Sequence, residues 1–399
     1  MVIEELILAQ QEMVVVIAIN FILSSVLFIS TDFLNIKHTI MLKNKILFFL
    51  LTIIISSCKL KNTKEINIDL KKNLSYNFAD KLKIDKIYCL KKENRDFYIS
   101  NISKVVFSDK NIFVLDAYNT QKVYVFDING NYIKNLGYVR DGGKESYQKL
   151  IDLFIDNNKV VLVSNAKLLF FDINNLSFVE SKNISIPVIN LVKYKDNYYG
   201  QTFDKDLLVV FNKKFKKEKG FMKLMPIFSI QATESFTQDS NDLYFHRYLE
   251  NNLYKISKNG VDTIKFNFKG FNNYKNLDLS KKIFSPIEIE KYLINEALTA
   301  EIYAIDGYYI LLSRDVAPYL YFYNKTNPKK SFSLYEDEKN WNNKKNNLTK
   351  DHSSPNIIGT TKTHLIAIIE SEFLDNNEKE PFCGKDDFDI AIALLAVKK

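Results

Sequence analysis

Proline and glycine are scarce in this 399-residue chain, at 7 and 11 residues. Its turns must therefore be made by Asn, Asp, Ser and Lys, of which Asn and Asp tolerate left-handed backbone. Arginine is scarcer still: Arg95, Arg140, Arg247 and Arg314 are the only four among 55 Lys and Arg. Bidentate contacts to phosphates and base edges depend on Arg. The net charge of +8 is carried by dispersed Lys among 47 acidic residues, so it describes a solvated surface and no nucleic-acid face. Histidine occurs four times, at His38, His246, His352 and His364, and cysteine three times, at Cys58, Cys89 and Cys383. H-E-x-x-H, C-x-x-C, P-loop and G-x-S-x-G patterns are absent. A catalytic zinc typically needs three protein ligands, and these histidines sit in unrelated local patterns. No metal, no cofactor and no catalytic residue are expected. Neighbouring carboxylates such as Asp386 and Asp387 would point to opposite faces of a strand, so they form no dyad.

What the chain has in quantity is aromatic residues, 30 Phe and 23 Tyr. These favour pleated, half-buried strands. The segment from Asp109 to Gly137 shows how they are used. Apolar runs at Ile112–Leu115, Val123–Phe126 and Tyr132–Leu136 are separated by a polar turn and by Asn129-Gly130, the pattern of an antiparallel meander.

Two motifs then recur. A polar turn leading into a strand occurs six times, at residues 109–116, 156–164, 195–203, 240–249, 305–314 and 361–371. An apolar strand ending in a small polar residue occurs five times, closing at Asp127, Asp172, Asn212, Ser257 and Asn324. Its spacings are 45, 40, 45 and 67 residues. The long last interval holds Ser285-Pro286-Ile287-Glu288, a capping box with Pro at the first helical position, followed by Ile289, Leu293 and Ala297. A short helical insertion near 285–300 restores the period. The closing Asp and Asn residues are expected to be structural, bonding their own turns.

Repeats of 40–45 residues, each with several strands, are the signature of propeller blades. The expected fold is all-β: a six-bladed β-propeller of four-stranded antiparallel blades over residues 84–398. The early strand Ile84–Leu90 has no repeat of its own. It is expected to join the C-terminal run Phe388–Val397 in a composite blade that closes the ring. That closure brings Cys89 and Cys383 into one blade. A disulfide between them is then possible in an oxidising compartment, with two buried thiols as the alternative.

The N-terminus carries an address. Met41–Cys58 has a basic flank (Lys43, Lys45), an apolar stretch Ile46–Ile55 and small residues before Cys58. This resembles a bacterial lipoprotein signal, with residues 41–57 removed and Cys58 lipidated. Ile55 and Ser57 depart from the commonest residues at their positions. Residues 58–83 are expected to form the lipidated Cys and a tether, with the polar run Lys59–Lys64 suited to flexibility. Residues 1–40 include an apolar stretch, Met13–Ser30, with an acidic flank. They are read as an upstream over-extension, or as an extra apolar segment if translated.

Over residues 84–398 the chain resembles six-bladed, NHL-like β-propeller lipoproteins of Gram-negative cell envelopes. NIFVLDAYNTQKVYVFDINGNYIKNLG is similar to that family's first full unit. Gly137–Tyr147 resembles its G-x-G-P-G-E-Y segment at Gly142, Gly143, Glu145 and Tyr147, without the Pro. The resemblance implies a fold and an envelope location, lipid-anchored at the outer membrane on its periplasmic or outer surface. It implies no activity. The function expected is a binding or scaffold module for an envelope protein, peptide or glycan, with membrane lipid engaged through Cys58. The alternative is a lyase- or hydrolase-like enzyme with a site in the axial channel. Candidate binding residues are Arg140 and Arg314 at strand ends, His246 with Arg247 in an aromatic strand, and Trp341 in an Asn/Lys-rich loop.

Overall fold

The computed structural model describes residues 63–69, 75–76, 78–91, 99, 101–139, 142–223, 235–247, 250–257, 260–269, 299–313, 320–334, 356–370, 383 and 388–398. All lie in the unit Lys61–Lys399. Three strands come first: β1 (Thr63–Ile68), β2 (Ser75–Tyr76) and β3 (Leu82–Lys91), with one helical turn at Phe78–Lys81. Blade 1 follows as β4 (Lys104–Phe107), β5 (Asn111–Asp116), β6 (Lys122–Asp127) and β7 (Tyr132–Leu136). A short parallel pair, β8 (Tyr138–Val139) and β9 (Ser146–Tyr147), leads to blade 2, made of β10 (Asp152–Asp156), β11 (Lys159–Ser164), β12 (Lys167–Asp172) and β13 (Phe178–Asn183). Blade 3 is β14 (Val188–Tyr194), β15 (Asn197–Thr202), β16 (Asp206–Phe211) and β17 (Lys217–Lys223). Blade 4 is β18 (Phe236–Gln238), β19 (Leu243–His246), β20 (Asn252–Ser257) and β21 (Gly260–Phe268). Blade 5 is β22 (Thr299–Ile305), β23 (Tyr308–Ser313), β24 (Leu320–Asn324) and β25 (Phe332–Leu334). Blade 6 takes β26 (Asn356–Thr360), β27 (Leu365–Glu370) and β28 (Phe388–Val397) from the C-terminus and β3 as its outer strand.

The ring is closed by packing as well as by pairing. Six hydrophobic clusters lie between successive blades, one at each interface, including the one between blades 6 and 1. The strand period of two explains how one run feeds two interfaces. In β5, Ile112 and Val114 enter the cluster toward blade 6, while Phe113 and Leu115 enter the cluster toward blade 2. Because both faces are covered, most of the second and third strands are near-continuous apolar runs, such as KVVLVS and KLLFFD.

The composite blade forms as the repeat predicts. Ile84 pairs with Leu395, which in turn pairs with Leu365. Cys89, on β3, is joined to Cys383 by a disulfide with a Cα–Cα separation of 5.6 Å.

In blades 1, 2, 3 and 5 the closing residue of the third strand folds its own turn. Asp127 Oδ1 accepts from the amides of Asn129 and Asn131 at 2.8 and 2.9 Å. Asp172 Oδ1 accepts from Asn174 and Asn175 at 2.9 and 3.0 Å. Asn212 and Asn324 act alike through Oδ1. These amide bonds hold the Asp172 carboxyl below the usual carboxylate range.

One feature differs from the sequence expectation. Part of the segment 58–83, expected as tether, is strand. β1 pairs in parallel with β21 as a fifth strand of blade 4, and β2 does the same with β25 in blade 5. The alternation that decides this is short: Ile66 and Ile68 are buried, while Thr63, Lys64 and Glu65 are exposed. The helical insertion near 285–300 lies outside the described residues except at its end, where Thr299 and Ala300 already belong to β22.

Candidate functional site

Antiparallel order gives the propeller two unlike ends. The turns joining first to second and third to fourth strands gather at one, the turn end. The connections joining second to third strands, and each blade to the next, gather at the other, the loop end.

At the loop end, the inner strands of blades 1 to 3 meet on one carboxylate. Asp152, buried at the start of β10, receives Lys104 Nζ of β4 on Oδ1 at 2.8 Å and the Leu191 amide of β14 on Oδ2 at 2.7 Å. At the opposite, turn end of the inner strands, the Thr237 hydroxyl of blade 4 bonds both the amide and the carbonyl of Ala304 in blade 5, at 3.0 and 3.1 Å. It also lies 3.0 Å from the Thr360 hydroxyl of blade 6. These contacts pull the inner strands together. Among the described residues no group of three or more His, Cys, Asp or Glu side chains is placed to hold a metal ion.

Around the Asp152 contacts the loop end shows aromatic and apolar side chains to solvent. The glycine-rich segment after blade 1 provides two. Gly137 and Gly143 have positive φ, 64° and 108°, which lets the chain double back so that β8 pairs with β9. The Tyr147 ring is buried, and its hydroxyl donates to Gln121 O at 2.8 Å. Gln121 Oε1 in turn accepts from the Leu150 amide at 2.7 Å, and Lys167 Nζ holds Ser146 O at 2.8 Å. Burial pushes the Tyr147 phenol well above its ordinary pKa, so it stays a neutral donor. The pinned segment leaves Tyr138 44% and Val139 53% exposed. Tyr118, in the adjacent turn of blade 1, is 62% exposed, and Phe203, in the corresponding turn of blade 3, is 56% exposed.

The residues singled out from sequence fare differently. His246 ends β19 and is buried, with its ring Nε2 3.1 Å from Glu250 O. Burial lowers its pKa to about 4, so it is neutral near pH 7. Arg247 is also buried, its Nη1 3.0 Å from Glu250 Oε1. Glu250 Oε2 accepts from the Tyr254 hydroxyl at 2.7 Å. Burial raises the Glu250 carboxyl above its ordinary value, against the opposing pull of Arg247 and Tyr254. His246 and Arg247 are thus built into blade 4 and are not displayed on it. Cys58, Arg140, Arg314 and Trp341 lie outside the described residues. Tyr118, Tyr138, Val139 and Phe203 were missed as site candidates. The available signal was a large apolar residue inside an otherwise polar turn, as in DAYNT and QTFDKD.

A closed ring of six blades with a composite closing blade is the architecture of a β-propeller. A sequence-family model described as "6-bladed beta-propeller" (DUF5128) matches residues 56–348, and the chain belongs to that family. Among solved structures it is similar to BF0058 of Bacteroides fragilis NCTC 9343, described as an exported protein, with a TM-score of 0.63 and 13% identity. That match covers 85% of this chain and 100% of the other. A member of the duf4221 family from Bacteroides vulgatus ATCC 8482 matches with a TM-score of 0.47 and 9% identity, over 80% of this chain and 98% of the other. No curated protein matches the chain.

Proposed function

We propose that the protein is a lipid-anchored binding module of the cell envelope, of NHL-like propeller type, that holds a protein, peptide or glycan against its loop end. The observation that carries the reading is the exposure of Tyr118, Tyr138, Val139 and Phe203 on one end of a rigid ring. Exposed aromatic residues on a preorganised scaffold supply contact area at low entropic cost. The signal-like Met41–Cys58 segment supports anchoring at the outer membrane. The Cys89–Cys383 disulfide supports a compartment outside the reducing cytosol.

Two measurements test this. Metabolic labelling with an alkyne fatty acid is expected to mark the wild-type chain and to miss Cys58→Ala. Equal labelling of both would end the anchoring claim. Crosslinked capture from intact envelopes is expected to yield a reproducible partner. Recovery of that partner should fall about tenfold in a Tyr118→Ser, Tyr138→Ser, Phe203→Ser triple variant, as loss of anchor aromatics implies. Undiminished recovery would place binding elsewhere.

A further inference from the structure

The turn end carries a charge pattern that folding does not require. Lys110, Lys195, Lys213, Lys214, Lys329 and Lys330 are exposed there, spread over blades 1, 3 and 5. The exposed carboxylates in the same turns are Asp109, Asp196 and Asp306. Asp306 is bound to Ser240 of blade 4, through the amide at 2.8 Å and the hydroxyl at 2.6 Å. Asp196 meets Lys213 at 3.8 Å with both side chains open to water. Asp127 and Asp172 spend their oxygens on turn amides, and no glutamate occurs in these turns. The result is a face on which six exposed lysines outnumber three exposed carboxylates, one of them bonded to Ser240 and another weakly paired with Lys213.

The course of β1 points to what that face meets. Thr63 pairs with Thr263 and Ile68 with Phe268, so the N-terminal end of β1 is the one nearer the Ser257–Gly260 turn of blade 4. Thr63 follows Cys58 by five positions, at most about 18 Å of extended chain. Two of the intervening residues, Lys59 and Lys61, are again basic. A chain anchored at Cys58 is therefore held on a short lead from the turn-end side of blade 4.

We propose that the turn end docks on an anionic phospholipid surface, leaving the loop end directed away from the bilayer. The proposal rests on the anchored reading above. It adds which face the membrane covers and why the binding end stays accessible: lysines are drawn to anionic headgroups within about a Debye length, roughly 10 Å at 0.1 M salt.

The test uses the full-length protein extracted from membranes and reconstituted in vesicles of phosphatidylcholine, with or without phosphatidylglycerol. A photo-crosslinking residue is placed at Lys214 or Lys330 of the turn end, or at Tyr118 or Phe203 of the loop end. With phosphatidylglycerol present, lipid adducts from the turn end are expected to exceed those from the loop end by about tenfold, and to fall as salt rises to about 1 M. A Lys213→Glu, Lys214→Glu, Lys329→Glu, Lys330→Glu variant should lose most of that excess. Equal yields from the two ends, larger yields from Tyr118 or Phe203, or yields indifferent to lipid charge would overturn the proposal. Anchoring is scored apart, by fatty-acid label on Cys58 and resistance to alkaline carbonate. If the label is absent, crosslinking with added vesicles still decides which end meets lipid.

Discussion

Lys325 of blade 5 reaches across the blade interface to Asp239 of blade 4, Nζ to Oδ2 2.6 Å, and both side chains are almost buried. The same ammonium donates to Ile305 O at 2.8 Å and lies 4.5 Å from the centre of the Tyr309 ring. Removing one partner strands the other charge in low dielectric. Asp239→Ala and Lys325→Ala are each expected to cost about 3 kcal/mol in urea unfolding, whereas the double replacement by Leu and Met should cost far less. Burial works to raise the Asp239 carboxyl, but Lys325 and the amides of Asn241 and Asp242 outweigh it and hold it below its ordinary value. The stability it adds is complete above the unfolded carboxylate pKa of about 4 and is lost as pH falls through the lower folded value. An acid titration of stability should lose this component in Asp239→Asn.

The disulfide joins residues 294 apart in sequence. Closing so long a loop restricts the unfolded chain, a contribution of up to about 5 kcal/mol in the loop-entropy account. Reduction, or Cys89→Ser, should lower the urea midpoint. Alkylation followed by mass spectrometry should find Cys89 unmodified until the protein is reduced.

Gly130 of blade 1 lies against the β3 backbone of blade 6, its carbonyl accepting from the Lys91 amide at 2.8 Å. Its φ is +81°, and a Cβ built there would lie 1.8 Å from Cys89 O. Gly130→Ala must therefore move backbone, and about 2–3 kcal/mol of destabilisation is expected. Gly260 is the control, with nothing within 4 Å of an added Cβ. Gly260→Ala should change stability by less than about 0.5 kcal/mol.

The strand β1 offers a test of whether the N-terminal segment belongs to the domain. Ile68 is 1% exposed in the cluster between blades 4 and 5. Ile68→Ala should cost about 3 kcal/mol, while Lys64→Ala, on the exposed face, should be nearly neutral. Equal, small effects from both would make the segment a passive lead.

Much of the fold was legible in the sequence because most of the second and third strands are buried on both faces. Such strands must be apolar throughout, as in KVVLVS and LLVVFN, and their turns must be closed by a side chain that caps amides, as Asp127, Asp172 and Asn212 do. Those are local demands, so they recur at a readable period. Apart from β7 and β3, read as Tyr132–Leu136 and Ile84–Leu90, the first and fourth strands escaped notice. β18 and β4 are short, and residues such as Asp152 and Thr237 are polar because they bond to the inner strands of neighbouring blades. Outer strands such as β13, FVESKN, alternate between half-buried and exposed positions and look like loop.

The sequence by itself determined the blade count, the composite closure and the turn chemistry, since each is written in near neighbours or in a repeated spacing. Only the tertiary structure decided the rest. It sent His246 and Arg247 into the blade, drew Ile66 and Ile68 onto the edge of blade 4, and gathered Tyr118, Tyr138 and Phe203 on one end with the lysine turns on the other. Those outcomes depend on which residues meet after the ring closes. Contacts between positions hundreds of residues apart, such as Thr63 with Thr263, leave no period in the chain from which they could be read.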